Sequence, residues 1–304
     1  MNPPVCLAMS LASAGIAAFL LSARGLFKKE AIHPMDSQHT SLGRLDAAGA
    51  LADAGAMAAL ALSRESWASA GMGSRSADLL KLGLAARGLA DTVNSAWYSG
   101  TVSPLLVLPF LAATGSGFVL PACDLLAAGQ AKGLMGELRR RLAPPTRSLL
   151  AGAHSLLALL LPATGGALLT FWPRFASYHM FGYSYGASAF LMATLAGGAV
   201  MSTLPAMNLL LKDAASSGRL DSWPARLLNA GQLVAALPHL AVLLPKGGGS
   251  SAGFKGWLLP AYTAAWSIAL ATSAAGLLAG TRASSGVGPI AAEAATKAQV
   301  GKEI

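Results

Sequence analysis

Charge is what this 304-residue sequence has least of. Asp, Glu, Lys and Arg make up 12% of it, about half of the roughly 25% that soluble domains carry. A water-soluble chain of this length could bury a large core but would still need a charged coat, and too few charges are present to make one. Cysteine is nearly missing as well. Cys6 and Cys123 give no basis for a disulfide framework or a Cys-rich metal site, and each falls in or beside an apolar segment, where a free thiol acts as a small hydrophobe. β-Branched residues are few, which argues against a β-barrel with its alternating strands of about ten residues. Phosphate-loop, H-E-x-x-H and G-x-S-x-G signatures do not occur. No reaction is named by a motif, and the expectation is of a protein that is not an enzyme.

What the sequence does have is apolar length. No Asp, Glu, Lys or Arg interrupts 1–23, 92–123, 148–173, 175–211, 227–245 or 256–281. A helix needs about 20 mostly apolar residues to cross a bilayer core, and each window can supply them. The apolar residues are chiefly Ala and Leu, with 34 Gly; small side chains let membrane helices approach closely. The G-x-x-x-G spacing occurs at Gly129–Gly133, Gly182–Gly186 and Gly276–Gly280.

The fold expected is all-α: a multi-spanning helical membrane protein with about six or seven transmembrane helices, proline kinks, small-residue packing and one amphipathic surface helix. An N-terminal membrane region, 1–100, holds a span at 4–23 and a probable span at 45–62. It also holds an amphipathic helix at 76–97, with Leu79, Leu82, Leu89 and Val93 on one side and Asp78, Lys81 and Asp91 opposite. A five-helix bundle over 101–281 follows (spans near 102–125, 148–170, 187–211, 227–245 and 257–279), then a polar tail, 282–304. Within 45–62, Asp46 and Asp53 lie seven residues apart and share a face. An Asp near the bilayer centre costs about 2.5–3.5 kcal/mol, so that face must meet protein or the interface. Prolines 104, 109, 121, 162, 205, 238 and 260 fall in or beside spans, where each interior one removes a backbone hydrogen bond and kinks the helix.

Loop charge orients the frame. The segment 128–147 carries Lys132, Arg139, Arg140, Arg141 and Arg147, whereas 172–186 carries only Arg174. Lys212, Arg219 and Arg226 return the charge, 246–256 is low again, and the tail holds Arg282, Lys297 and Lys302. The positive-inside rule then puts the C-terminus on the matrix or cytoplasmic side. Trp97, Trp172 and Trp257 fall at the opposite ends, as an interfacial belt would. Segment 64–100, with Arg64, Arg75, Lys81 and Arg87, departs from the pattern.

Five histidines are present, of which His33 and His39 fall in a polar loop and His179 in another. His154 and His239 fall in spans, and bis-His haem ligation between helices is the sharpest cofactor reading. Counted from one side the two differ in depth by about six residues, or about 9 Å, which suits a single haem badly. His239 could instead serve a quinone or a proton relay, or simply bond across helices. The five later spans hold no carboxylate apart from Asp124, at the end of the first, which weighs against a cation-coupled pump. No cofactor or metal is expected. The run ELRRRLAPPTR places Arg139, Arg140, Arg141 and Arg147 where they could bind anionic phospholipid such as cardiolipin, and nucleic acid is not an expected partner.

The role these features suggest is a non-catalytic accessory subunit of a large organellar complex. A respiratory-chain or ATP-synthase assembly of the mitochondrial inner membrane fits best, with other membrane subunits as partners. A small-solute transporter or channel is the alternative.

Overall fold

Prolines and glycines, more than charge, decide where the helices of this chain start, bend and meet. The computed structural model describes residues 1–22, 37–62, 64–73, 75–97, 104–127, 129, 133–143, 148–172, 194–243 and 258–285. Among these it is helical throughout, without a strand. In chain order the helices are α1 (Pro3–Ser22), α2 (Ser37–Leu60), α3 (Arg64–Ser69), α4 (Ser76–Trp97), α5 (Pro104–Ala127), α6 (Leu134–Leu142), α7 (Leu149–Phe171), α8 (Thr194–Ser216), α9 (Trp223–Leu243) and α10 (Leu258–Ser285).

Proline opens α1 and α5, where its missing N–H costs nothing. Ser148 starts α7, its Oγ accepting from the Ala151 amide. Within α7 and α8, proline has a different effect. Pro162 opens a π-turn, Pro162–Gly166, and Pro205 follows another, Ala199–Thr203. Each proline leaves a carbonyl four residues back without its helical partner, and the extra residue of a π-turn absorbs the mismatch. The two turns touch. A Cβ on Gly166 would lie 2.8 Å from the Met201 amide nitrogen, so only glycine lets the backbones close.

α8 is the hub, with Leu204, Met207, Leu210 and Leu211 fully buried or nearly so. It meets α2, α4, α7 and α9, while α9 also packs on α2 and α10, and α10 returns to α7. α1 lies against α2, and α5 against α4. Where α2 crosses α9, a Cβ on Gly55 would come within 2.7 Å of the Gly231 Cα. This crossing is backbone on backbone.

Among the described residues, three helical stretches are long and apolar enough to cross a membrane: Leu149–Phe171, Thr194–Ser216 and Pro260–Ala279. Shorter apolar stretches occur at Pro3–Ala18 and Leu111–Ala127. Six or seven were expected. α2 and α4 fall outside this set because they carry acidic and basic side chains, and α9 because Asn229, Gln232 and His239 dilute its apolar character.

α4 corrects the expectation most. The surface helix anticipated over 76–97 is turned round. Asp78, Lys81, Arg87, Asp91 and Ser95 are buried, whereas Leu82, Leu89, Val93 and Trp97 are exposed, Trp97 by 81%. Only its Leu79, Leu80 and Leu84 point inward with the polar groups. An amphipathic helix docked on a core in water has the reverse arrangement.

Candidate functional site

The polar face of α4 meets the acidic face of α2. Arg87 and Asp91 sit one turn apart on α4, with Nε of Arg87 donating to Asp91 at 3.0 Å. Asp46 and Asp53 sit two turns apart on α2, the separation that puts them on one face. The Arg87 guanidinium lies 2.9 Å from Asp53 and 3.5 Å from Asp46. Glycine makes the room: a Cβ at Gly49 would stand 2.8 Å from Nη1 of Arg87, and one at Gly198 would stand 2.5 Å from Oδ1 of Asp91. Arg87 is 5% exposed, and Asp46 and Asp91 are each 4% exposed.

The charge does not balance. With every group ionised, three carboxylates face one guanidinium, and among the described residues no other basic side chain acts on the three acids. Oδ1 of Asp53 and Oδ1 of Asp91 are buried without a hydrogen-bond donor. A low-dielectric interior makes such an imbalance costly, so the cluster is suited to share protons or to accept a cation.

Beside it lies a half-open chamber of about 130 Å³ between α1, α2, α4 and α5. The cluster forms its polar end. Ser13 and Ser116 contribute hydroxyls, while Ile16, Met57 and Leu84 supply apolar wall. Ser116 donates to the Ala113 carbonyl, which leaves its oxygen as an acceptor.

The histidines of the spans are not brought together. Nδ1 of His154, on α7, pairs with Oδ1 of Asn208 on α8 at 2.9 Å, and Asn208 in turn donates to the Leu204 carbonyl. His239, on α9, stacks on Trp266 of α10 with centroids 3.6 Å apart. Its Nδ1 meets the Ala235 carbonyl at 2.9 Å, the carbonyl one turn earlier. Asn229, Gln232 and His239 follow one face of α9 and join Ser273 of α10 in an uncharged polar seam, fully buried. The described residues contain no group of His, Cys, Asp and Glu able to hold a metal ion. His33 and His179 lie outside the described residues.

The arginine run divides in two. Arg139 and Arg140 lie on the exposed face of α6 beside Met135 and Leu142. Arg141 points inward and is 1% exposed. It donates to Glu137 at 2.7 Å and to Ser76 at 2.9 Å, reaches the Met72 carbonyl, and lies 2.9 Å from Asp213. Lys212 caps the end of α6 by donating to the carbonyls of Arg141 and Ala143. Arg141 is therefore not available to a lipid headgroup, because it is buried and paired with Glu137 and Asp213 inside the protein. Arg147 lies outside the described residues.

Sequence reasoning found Asp46 and Asp53 and missed Arg87. The signal was present: an Arg and an Asp four residues apart on a mainly apolar helix, complementing two Asp seven apart on another. Comparison of the chain with protein-family models, with curated proteins and with solved structures finds no match.

Proposed function

We propose that this chain is a multi-pass membrane protein of the solute-carrier kind, whose chamber between α1, α2, α4 and α5 receives a small solute. The observation that carries this reading is the chamber over Arg87, Asp46, Asp53 and Asp91. A dry, fully packed bundle would have argued against it. Ionisable groups in membrane helices mark substrate or proton paths by default.

The direction of side chains supports immersion in lipid beyond the three candidate spans. Leu7 and Leu11 of α1, Leu89 and Val93 of α4, and Val234 and Leu237 of α9 face outward. Inward lie the charges and amides. With α1, α2, α4, α5, α7, α8, α9 and α10 all crossing, the segment 61–75 falls on the same side as α6 and the turn after α8. Contacts support that grouping, since Arg141 joins Met72 to Asp213 and Gly71 abuts Ser217. Arg64 and Arg75 then belong to the basic end. Trp97 and Trp172 fall at the other end. The exposed Met135, Arg139, Arg140 and Leu142 suit α6 to lie in an anionic lipid surface. Uptake of a panel of labelled small solutes into proteoliposomes tests the carrier reading; no uptake above empty vesicles across the panel would end it.

A second reading is an accessory subunit of a larger membrane complex. The outward apolar faces of α1 and α4 would suit neighbouring subunits as well as lipid. Purification in mild detergent separates the two: constant companions favour the subunit, and a solitary, monodisperse chain removes it.

A further inference from the structure

We infer that the cleft between α3 and the start of α9 is a site for one lipid headgroup, phosphoethanolamine, with Arg219 taking the phosphate and Asp221 the ammonium. The inference rests on the membrane placement of α9 and not on the carrier reading of the chamber. The turn from α8 to α9 builds the site. Gly218, at a φ of 66°, ends α8. Its amide and that of Arg219 return to the carbonyls of Ala215 and Ala214, the paired bonds of a Schellman cap. The Ser222 amide then closes a tight turn onto the Arg219 carbonyl at 3.1 Å. Arg219 and Asp221 are thereby held on one short loop. Both line a half-open cleft of about 260 Å³, together with Ser66 and Ser69 of α3 and Trp223 of α9.

Charge selects the ligand first. Arg219 and Asp221 are exposed, opposite in sign and in one cleft, yet their side chains form no ion pair with each other or with any other group among the described residues. A ligand that carries both signs on one short frame can meet both, and a guanidinium suits the oxygens of a phosphate. Hydrogen bonding comes second. The Ser69 hydroxyl donates to the Ser66 carbonyl at 3.0 Å, which leaves its oxygen as an acceptor in the cleft, as the Asp221 carboxylate is. The cationic end must therefore donate. A primary ammonium has three N–H donors and a quaternary one has none, and the single ring of Trp223 does not make the cage that holds a quaternary ion. Continuity with lipid comes third. Trp223 is 67% exposed, and Val234 and Leu237 of α9 are exposed as well. They lie about three and about four turns beyond Trp223, so the three share one face. That face runs from the cleft into the apolar layer, with the indole at the depth where tryptophan collects in membranes. The acyl chains of a headgroup held in the cleft would lie along it.

The test uses the full chain in mild detergent, incubated with equimolar phosphatidylethanolamine, phosphatidylcholine and phosphatidylglycerol, with bound lipid counted by native mass spectrometry. Phosphatidylethanolamine should be retained at least fivefold over each of the others. Both charged side chains are exposed and unpaired, so replacing them leaves the fold intact. Arg219→Gln should abolish the preference. Asp221→Asn should turn it toward phosphatidylglycerol, because the remaining guanidinium then favours a net anion; a purely structural role would give no such reversal. Equal retention of the three lipids by wild type, or an unaltered preference in both variants, would overturn the assignment. Glycerophosphoethanolamine, the headgroup without its chains, should fail to displace the lipid at tenfold excess. Complete displacement would make the ligand a soluble zwitterion and overturn the lipid source. Failure of the membrane reading looks different. A chain that does not float with phosphatidylcholine vesicles on a density gradient rejects that reading together with the site. Flotation without any lipid preference keeps the membrane reading and rejects the site alone.

Discussion

Two buried arginines serve this protein in opposite ways. Arg141 and Arg87 are each 5% exposed or less, and each joins distant parts of the chain. Arg141 has two carboxylates, a carbonyl and a hydroxyl for partners, with Lys212 and Arg140 close by. Positive charge there at least matches negative, and the group closes one end of the bundle. Arg87 has three carboxylates and a chamber beside it. A guanidinium whose charge is matched fastens; an outnumbered one leaves negative charge to be balanced. The two differ in surplus rather than in burial.

The largest effect should come from breaking the fastened node. Arg141→Met would remove the buried cation between Glu137 and Asp213 and leave them the exposed Arg140. Removing one partner of a buried ion pair costs about 3–5 kcal/mol, and chemical unfolding in mixed micelles should register a loss of that size. An unchanged midpoint would mean that α6 is not held through Arg141.

A smaller effect distinguishes the two nodes directly. Asp213→Asn should cost about 1.5–3 kcal/mol, the range for hydrogen bonds to charged groups, because Arg141 loses one of only two carboxylates. Asp53→Asn should stay within about 1 kcal/mol of wild type in either direction, since a neutral amide relieves the carboxylate excess while Asp46 and Asp91 still hold Arg87. If Asp53→Asn proves the more damaging of the two, the surplus at Arg87 is not real and the comparison collapses.

Much of the bundle was legible because charge-free windows of about 20 residues have few other uses. Asp46 and Asp53 were legible as a shared face from their spacing alone. α4 was not. Its Leu82, Leu89 and Val93 form a stripe that water would drive inward, and the same stripe in a lipid setting turns outward and sends Arg87 and Asp91 to the interior. Solvent decides which face of an amphipathic helix is buried, and periodicity is blind to solvent. The inward turn of Arg141 was hidden for a related reason. Three consecutive arginines spread over about 200° of a helix, so one surface does not hold all three, but sequence does not say which turns away. His154 and His239 looked like a pair because both lie in spans; their partners, Asn208 and Trp266, belong to different helices and hold them apart in role.

The smallest predicted effect lies at the rim of the Arg141 node. Hydrogen bonds from Arg140, and with them those from Arg141, pull the Glu137 carboxyl down from its ordinary value of 4.5 to about 2. The sign follows from proton uptake. Above pH 4.5 the group is ionised folded or unfolded, and its full contribution is present. As pH falls below 4.5 the unfolded chain takes up the proton first, so stability declines, and the contribution is gone once pH has passed through about 2. Water weakens the pull, because the Arg140 side chain is largely exposed. Unfolding midpoints of wild type and Glu137→Gln at pH 5.5, 3.5 and 2.5 isolate the effect, since other acids titrate alike in both. The gap between the two proteins should be widest at pH 5.5 and much reduced, though still open, at pH 2.5. A gap that stays constant with pH would mean that Glu137 holds α6 by packing, and that the positive surplus around Arg141 does not reach its carboxylate.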